Sequence, residues 1–189
     1  VPARDIVETL RDVAAALQLR RWYLFGAQSV VIWGRPRLTT DIDITVEATL
    51  DEIDTLTADF ARAGFVSRRE DLAGFARQTR VLPLLHAETR VPVDAVIAGP
   101  GLEEQFLDRV IFQQIGGVQV PVISPEDLII GKLLSGREKD LEDVRGVVLA
   151  KLESLDADRI LAILEILEKA LSRGDLKSEF ERIRSGAAE

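Results

Sequence analysis

The 189-residue chain has no cysteine. That excludes a disulfide framework and any thiolate metal site. It has a single histidine, His86, which reads as a hairpin or surface residue and carries little weight as a catalyst. No window holds about 18 consecutive apolar residues, the usual requirement for a membrane span. No basic region followed by an apolar stretch opens the chain, so no signal peptide is read there. The expected location is therefore cytoplasmic, with no membrane partner. Basic residues are also in deficit, 24 against 32 acidic, for a formal net charge of -8. A broad, sequence-independent grip on nucleic acid is disfavoured, although a local basic patch is not.

What is present is an ordinary globular balance, 47% hydrophobic and 30% charged. The chain is long enough to bury a core. Ile6, Leu10, Val13 and Leu17 recur at helical spacing and predict an amphipathic helix over residues 2–19. Trp22 to Phe25 reads as a short strand. Gly26 allows a tight turn, and Ala27 to Trp33 reads as a short helix closed by Gly34. Pro36 makes residues 35–40 a loop, and residues 41–47 read as a strand.

A second amphipathic helix is expected over residues 51–63 and a short strand over 65–67. Two extended runs are expected at 75–85 and 89–98, joined at His86. A helix over 102–112 then leads to a hairpin over 113–123, turning at Gly116-Gly117. Ser124-Pro125-Glu126-Asp127 is a helix start: a capping hydroxyl, proline in the first turn and early acids. Helices are expected to about Ser135 and over 138–150, 156–172 and 175–184. The fold class is α+β, with a mixed, mostly antiparallel sheet flanked by helices. The expected division is a core at 1–123 and a helical C-terminal region at 124–189 packed on it.

Three groups of residues could carry chemistry. Asp41 and Asp43 share one face of their strand, with Ile42, Ile44 and Val46 on the other. Adjacent carboxylates repel unless a cation sits between them, and a hard divalent ion suits the pair. Alone, D-x-D is also what a polar strand face looks like. Its context adds weight, because the preceding strand, turn and short helix bring Gly26 and Ser29 to the same sheet edge.

Asp94 is an acid in an otherwise apolar strand. It reads as a solvent-facing acid paired with an arginine such as Arg80 or Arg90, as a third metal-side carboxylate, or as a general base. Lys132, Arg137 and Lys139 are cations available to triphosphate oxygens. Asp140 and Asp143 lie on one helix face, so this segment also reads as a salt-bridged helix pair. Arg68-Arg69 and Arg35/Arg37 read as surface charges, though Arg35 and Arg37 lead into the two aspartates and could reach a phosphate.

In this order the segments resemble the DNA polymerase beta-like nucleotidyltransferase superfamily, and most of all its AbiE-type toxin nucleotidyltransferases. The motifs are Gly26-Ala27-Gln28-Ser29, Asp41-Ile42-Asp43, Asp94, and Lys132 followed by Arg137-Glu138-Lys139-Asp140. Ala27 departs from the pattern, which has Gly or Ser directly after the first Gly. The resemblance implies a nucleotidyltransferase fold and Mg2+ (or Mn2+) held by Asp41, Asp43 and Asp94. NTP is the implied substrate, its phosphates cradled by Gly26 and Ser29 with Lys132 and Arg137 assisting, and Asp140 completes the implied nucleotide-binding residues. An acceptor hydroxyl oriented near Asp94, on an RNA 3' end, a protein or a small antibiotic, would attack the alpha phosphorus and release pyrophosphate. A cognate antitoxin protein is the partner implied for toxin relatives. The alternative is a non-catalytic module of the same fold that binds nucleotide or a partner.

Overall fold

The computed structural model describes residues 2–35 and 38–187. The sequence readings for Pro36 and Arg37 lie outside the described residues. The chain divides into two units, Val1–Gln28 with Leu38–Ile123, and Ser29–Arg37 with Ser124–Glu189.

The first unit holds a seven-stranded sheet in the order β3-β4-β5-β2-β1-β7-β6. Its strands are β1 (Trp22–Phe25), β2 (Ile42–Val46), β3 (Phe65–Ser67), β4 (Val81–His86), β5 (Pro92–Ile97), β6 (Ile111–Ile115) and β7 (Val118–Val122). Four neighbouring pairs run antiparallel. Only β1/β7 and β2/β5 are parallel. The sheet is therefore mixed and mostly antiparallel, as the sequence predicts.

Helix α1 (Ala3–Ala16) forms because its apolar residues repeat on one face, and Ile6, Leu10 and Val13 are all buried. Helix α2 (Gly26–Trp33) follows β1 without a connecting residue. Helix α3 (Ile53–Arg62) buries Ile53, Leu56 and Phe60. A capping box at Thr49 and Glu52 precedes it.

Three expectations for this unit are corrected. Residues 75–85 are not one extended run, because Leu72–Thr79 forms helix α4. The Asp71 carboxylate accepts from the Gly74 N–H at 2.8 Å, and Leu72 and Ala76, four apart, bury one face. Arg80 ends the helix in the left-handed region, with φ 61°. Helix α5 (Leu102–Asp108) also stops earlier than expected. The β6/β7 ladder reaches back to Ile111, opposite Val122, and takes residues read as helix. His86 is likewise not a surface residue. It is buried, with Nδ1 2.8 Å from Thr89 Oγ1 and Nε2 3.0 Å from Asp12 Oδ2.

The second unit contains α6 (Pro125–Ser135), α7 (Glu138–Lys151), α8 (Ala157–Leu171) and α9 (Leu176–Ala187). The Ser124 hydroxyl accepts from the Asp127 N–H at 3.1 Å and starts α6. Gly136, at φ 65°, closes the helix with its N–H on the Lys132 carbonyl. That left-handed step is where glycine has no steric penalty. Ile129, Ile130, Leu133, Val144, Val147, Ile160, Leu164 and Phe180 form the core of the helical unit.

Candidate functional site

The antiparallel β1/β2 pair sets Phe25 opposite Asp43, so β1 ends where β2 begins. The parallel β2/β5 pair sets Asp43 opposite Asp94. Both acids therefore stand on one face of the sheet, on neighbouring strands. On the other face Ile42, Ile44, Val93 and Ala95 are fully buried, and that apolar anchoring fixes which way the acids point. Asp43 and Asp94 are half-buried, as is Asp41 just before the strand.

Gly26 is the residue that lets this edge close up. A Cβ on Gly26 would come 2.0 Å from Asp43 Oδ2 and 2.8 Å from Asp43 Cβ. Its φ of +65° is also one that L side chains resist. The backbone at the start of α2 thus lies directly against the Asp43 carboxylate. Asp41 is oriented by its own loop, since Thr39 Oγ1 donates to Asp41 Oδ1 at 2.9 Å. The Gln28 amide donates to the Asp41 carbonyl at 3.4 Å. Ser29 is fully buried within α2.

Asp94 has a partner that the sequence reading set aside as a surface charge. Arg68 Nη2 donates to Asp94 Oδ1. Arg80 and Arg90, the partners first considered, do not take that place: Arg80 donates through Nε to the Ile97 carbonyl at 3.0 Å. Burial pushes the Asp94 carboxyl above its usual pKa, Arg68 opposes the rise, and the charge of Asp41 adds to it. No spacing in the sequence could have found Arg68, which is 26 residues from Asp94 and reaches it only through the β3-β4-β5 order.

The second-unit residues form a cluster of their own. Lys132 Nζ donates to Asp140 Oδ1 at 2.8 Å and to Asp143 Oδ2 at 2.7 Å. Ser135 Oγ and Arg137 Nε both donate to Asp140 Oδ2, at 2.8 and 2.5 Å. Asp140 and Asp143 are buried, and the Lys132 side chain is only 11% exposed. Arg137 is different, with a side chain 64% exposed. Burial raises the Asp140 pKa, but the hydrogen bonds from Lys132, Arg137 and Ser135 outweigh it and hold the group at about 2. The salt-bridged reading of this segment describes these contacts well, except that the bridges are buried rather than solvated.

Among the described residues, no group of three or more acidic or histidine side chains is gathered tightly enough to hold a metal ion. The donor chemistry at the sheet edge nonetheless fits one. Asp43 and Asp94 are in register on one face, Asp41 and Asp94 repel, and oxygen donors suit a hard divalent cation. One Asp94 oxygen, Oδ1, is engaged by Arg68.

The pattern of a family described as "Nucleotidyltransferase of unknown function (DUF6036)" matches residues 4–183. Among solved structures, the chain is similar to the solution structure of the antibiotic-resistance factor ANT(2'')-Ia, at 16% identity over 90% of this chain and 94% of that one, with a TM-score of 0.56. It is similar to an antigenic nucleotidyltransferase-like protein from Paracoccidioides brasiliensis, at 16% identity over 95% and 92%, TM-score 0.53. The lincomycin-bound lincosamide antibiotic adenylyltransferase LnuA aligns at 15% identity over 78% and 96%, TM-score 0.51. At such identities the likeness establishes the fold, which is that of nucleotidyltransferases. No curated protein matches the sequence.

Proposed function

Since the chain belongs to the DUF6036 family of nucleotidyltransferases, we propose that it is a metal-dependent enzyme moving an NMP from an NTP to an acceptor hydroxyl. The observation that carries this reading is the interlock of Gly26 with Asp43, with Asp94 in register beside it. A glycine forced by contact with a carboxylate is hard to explain if that carboxylate merely faces water. It is expected where the first turn of a helix must meet both an acid and a phosphate.

Asp41, Asp43 and Asp94 would hold Mg2+ or Mn2+. The ion would supply charge neutralisation for the triphosphate. Thr39 fixes the Asp41 carboxylate for that role. The first turn of α2, opened by Gly26 and packed through the buried Ser29, offers backbone N–H groups to phosphate oxygens. The motif order also names Lys132, Arg137 and Asp140 as nucleotide-binding residues. Arg137 has the open side chain, while two of the three Lys132 donors are already engaged. The acceptor oxygen attacks the alpha phosphorus, forming one P–O bond as the bond to pyrophosphate breaks. Where Asp94 is not a ligand of the ion, its carboxylate takes the hydroxyl proton as general base; where it is a ligand, the proton leaves to water.

For the acceptor, the proposal keeps an RNA 3' end or a protein hydroxyl. It also keeps small-molecule hydroxyls, which LnuA as an antibiotic adenylyltransferase and ANT(2'')-Ia in complex with adenylyl-2''-tobramycin support. Kinship to AbiE-type toxins, and an antitoxin partner with it, rests on motif order. A cytoplasmic location belongs to the proposal too; among the described residues, no helix is long and apolar enough to cross a membrane.

The second reading is a module that binds nucleotide without turnover, favoured by Ala27 and by Asp94 being held on Arg68. Calorimetry with each NTP and Mg2+, run beside an assay for pyrophosphate release, separates the two. Binding with release in the presence of RNA, protein or small acceptors supports the enzyme. Binding without release under all acceptors leaves the module.

A further inference from the structure

Arg68 is placed by the sheet rather than by chance contact. Its backbone N–H donates to the Pro83 carbonyl at 2.9 Å, and Pro83 stands opposite Asp94 in the β4/β5 register. The guanidinium is therefore delivered to the Asp94 carboxylate from the edge of the sheet. The adjacent Arg69 is engaged elsewhere. Its guanidinium lies 4.9 Å over the Phe75 ring, and its N–H donates to Ser67 Oγ at 2.9 Å. Two neighbouring arginines of equal charge thus have different tasks.

At Asp94, burial and the Asp41 charge both disfavour the carboxylate, and Arg68 supplies the compensating positive charge. A divalent ion shared with Asp41 and Asp43 would supply the same compensation with twice the charge. The Asp94 Oδ1 is taken by the guanidinium, and no three-carboxylate set is closed among the described residues. We propose that Arg68 is a positioning residue that competes with the divalent ion for the Asp94 carboxylate, so that ion binding and the Arg68–Asp94 pair exclude each other. This rests on reading Asp41, Asp43 and Asp94 as the ion site.

The test is a titration with Mn2+ alone, following the free-ion signal by electron paramagnetic resonance, without nucleotide or turnover. Wild type, Arg68→Ala and Arg69→Ala are compared, with a thermal melt of each in chelator to establish folding. Arg68→Ala is expected to bind Mn2+ several-fold tighter than wild type, and Arg69→Ala to bind like wild type. If Arg68→Ala does not fold, Arg68→Lys, which keeps the charge but loses the planar fork, is expected to bind more tightly than wild type by a smaller factor. Unchanged or weaker binding in the Arg68 variant overturns the competition while leaving the ion site standing. Equal tightening in both alanine variants overturns it too, since that is only the loss of a nearby charge. No Mn2+ binding by any variant removes the ion site itself and the competition with it.

Discussion

Asp94 and Asp140 each accept a hydrogen bond from an arginine, yet their carboxyls are pushed in opposite directions. Burial is the largest influence at both positions, and at both it favours the neutral acid. At Asp140 it loses, because Lys132, Arg137 and Ser135 all donate to the same carboxylate. At Asp94 it prevails, because one guanidinium is set against burial and a neighbouring aspartate together. The Asp140 cluster is a closed arrangement in which each charge is matched, as structural ion pairs must be when water is excluded. The Asp94 edge keeps a carboxylate under electrostatic stress, which is the usual condition of a group kept for chemistry or for a cation.

The sharpest way to break the contrast is to remove the buried cation from the closed cluster. Lys132→Ala takes it from two buried aspartates, leaving Ser135 and the more exposed Arg137 on Asp140, and is expected to cost about 3–5 kcal/mol, read from urea unfolding. A cost under about 1 kcal/mol would make the cluster an ordinary surface network.

Asp140→Asn should cost about 2 kcal/mol near neutral pH, from the drop of its pKa from 3.8 to about 2. The sign is fixed by the direction of that shift. A lowered folded-state pKa contributes stability in full above the ordinary carboxylate range and loses it as pH falls toward 2. Acid unfolding of wild type between pH 4 and 2 should therefore be steeper than that of Asp140→Asn. Parallel acid limbs in the two proteins would remove Asp140 from the account.

Gly26→Ala puts a methyl group on the Asp43 carboxylate and a side chain at positive φ. A stability loss of about 1–2 kcal/mol is expected, together with weakened Mn2+ binding. Normal ion binding in this variant would mean that the Gly26–Asp43 contact is not part of the site. The smallest effect belongs to Asp94→Asn. Its raised pKa means that ionisation is less favourable in the fold, so the contribution runs opposite to that of Asp140: stability falls as pH rises through the folded-state pKa. Neutralising it should leave the melting temperature unchanged or slightly higher near neutral pH, in contrast to Asp140→Asn. A clear loss of stability would place Asp94 with the structural pairs.

The two regions also differed in how far the sequence could reveal them. The capped start at Ser124, the Gly136 stop and the Gly116-Gly117 hairpin are local chemistry, and each stands where the sequence puts it. The D-x-D strand was legible from alternation, because Ile42, Ile44 and Val46 had to go inward. Gly26 could be read as a close-approach position, but not that Asp43 is what approaches it. Arg68 was invisible, since its meeting with Asp94 depends on strand neighbours far apart in the chain. Helix α4 was misread because Phe75 and the valine and leucines after Arg80 have strand propensity. The Asp71 cap and the burial of Leu72 and Ala76 decided otherwise.

Nucleotidyl transfer is proposed for the acids at the β1/β2/β5 edge. It is tested most directly by incubating wild type and Asp43→Ala with Mg2+, each alpha-labelled NTP and total RNA, protein and small-hydroxyl acceptors. Wild type is expected to transfer label from at least one NTP, and the folded Asp43→Ala protein to do so on the order of 10²–10³-fold more slowly. Absence of labelled product with every NTP and acceptor, or equal transfer by the variant, would contradict the claim.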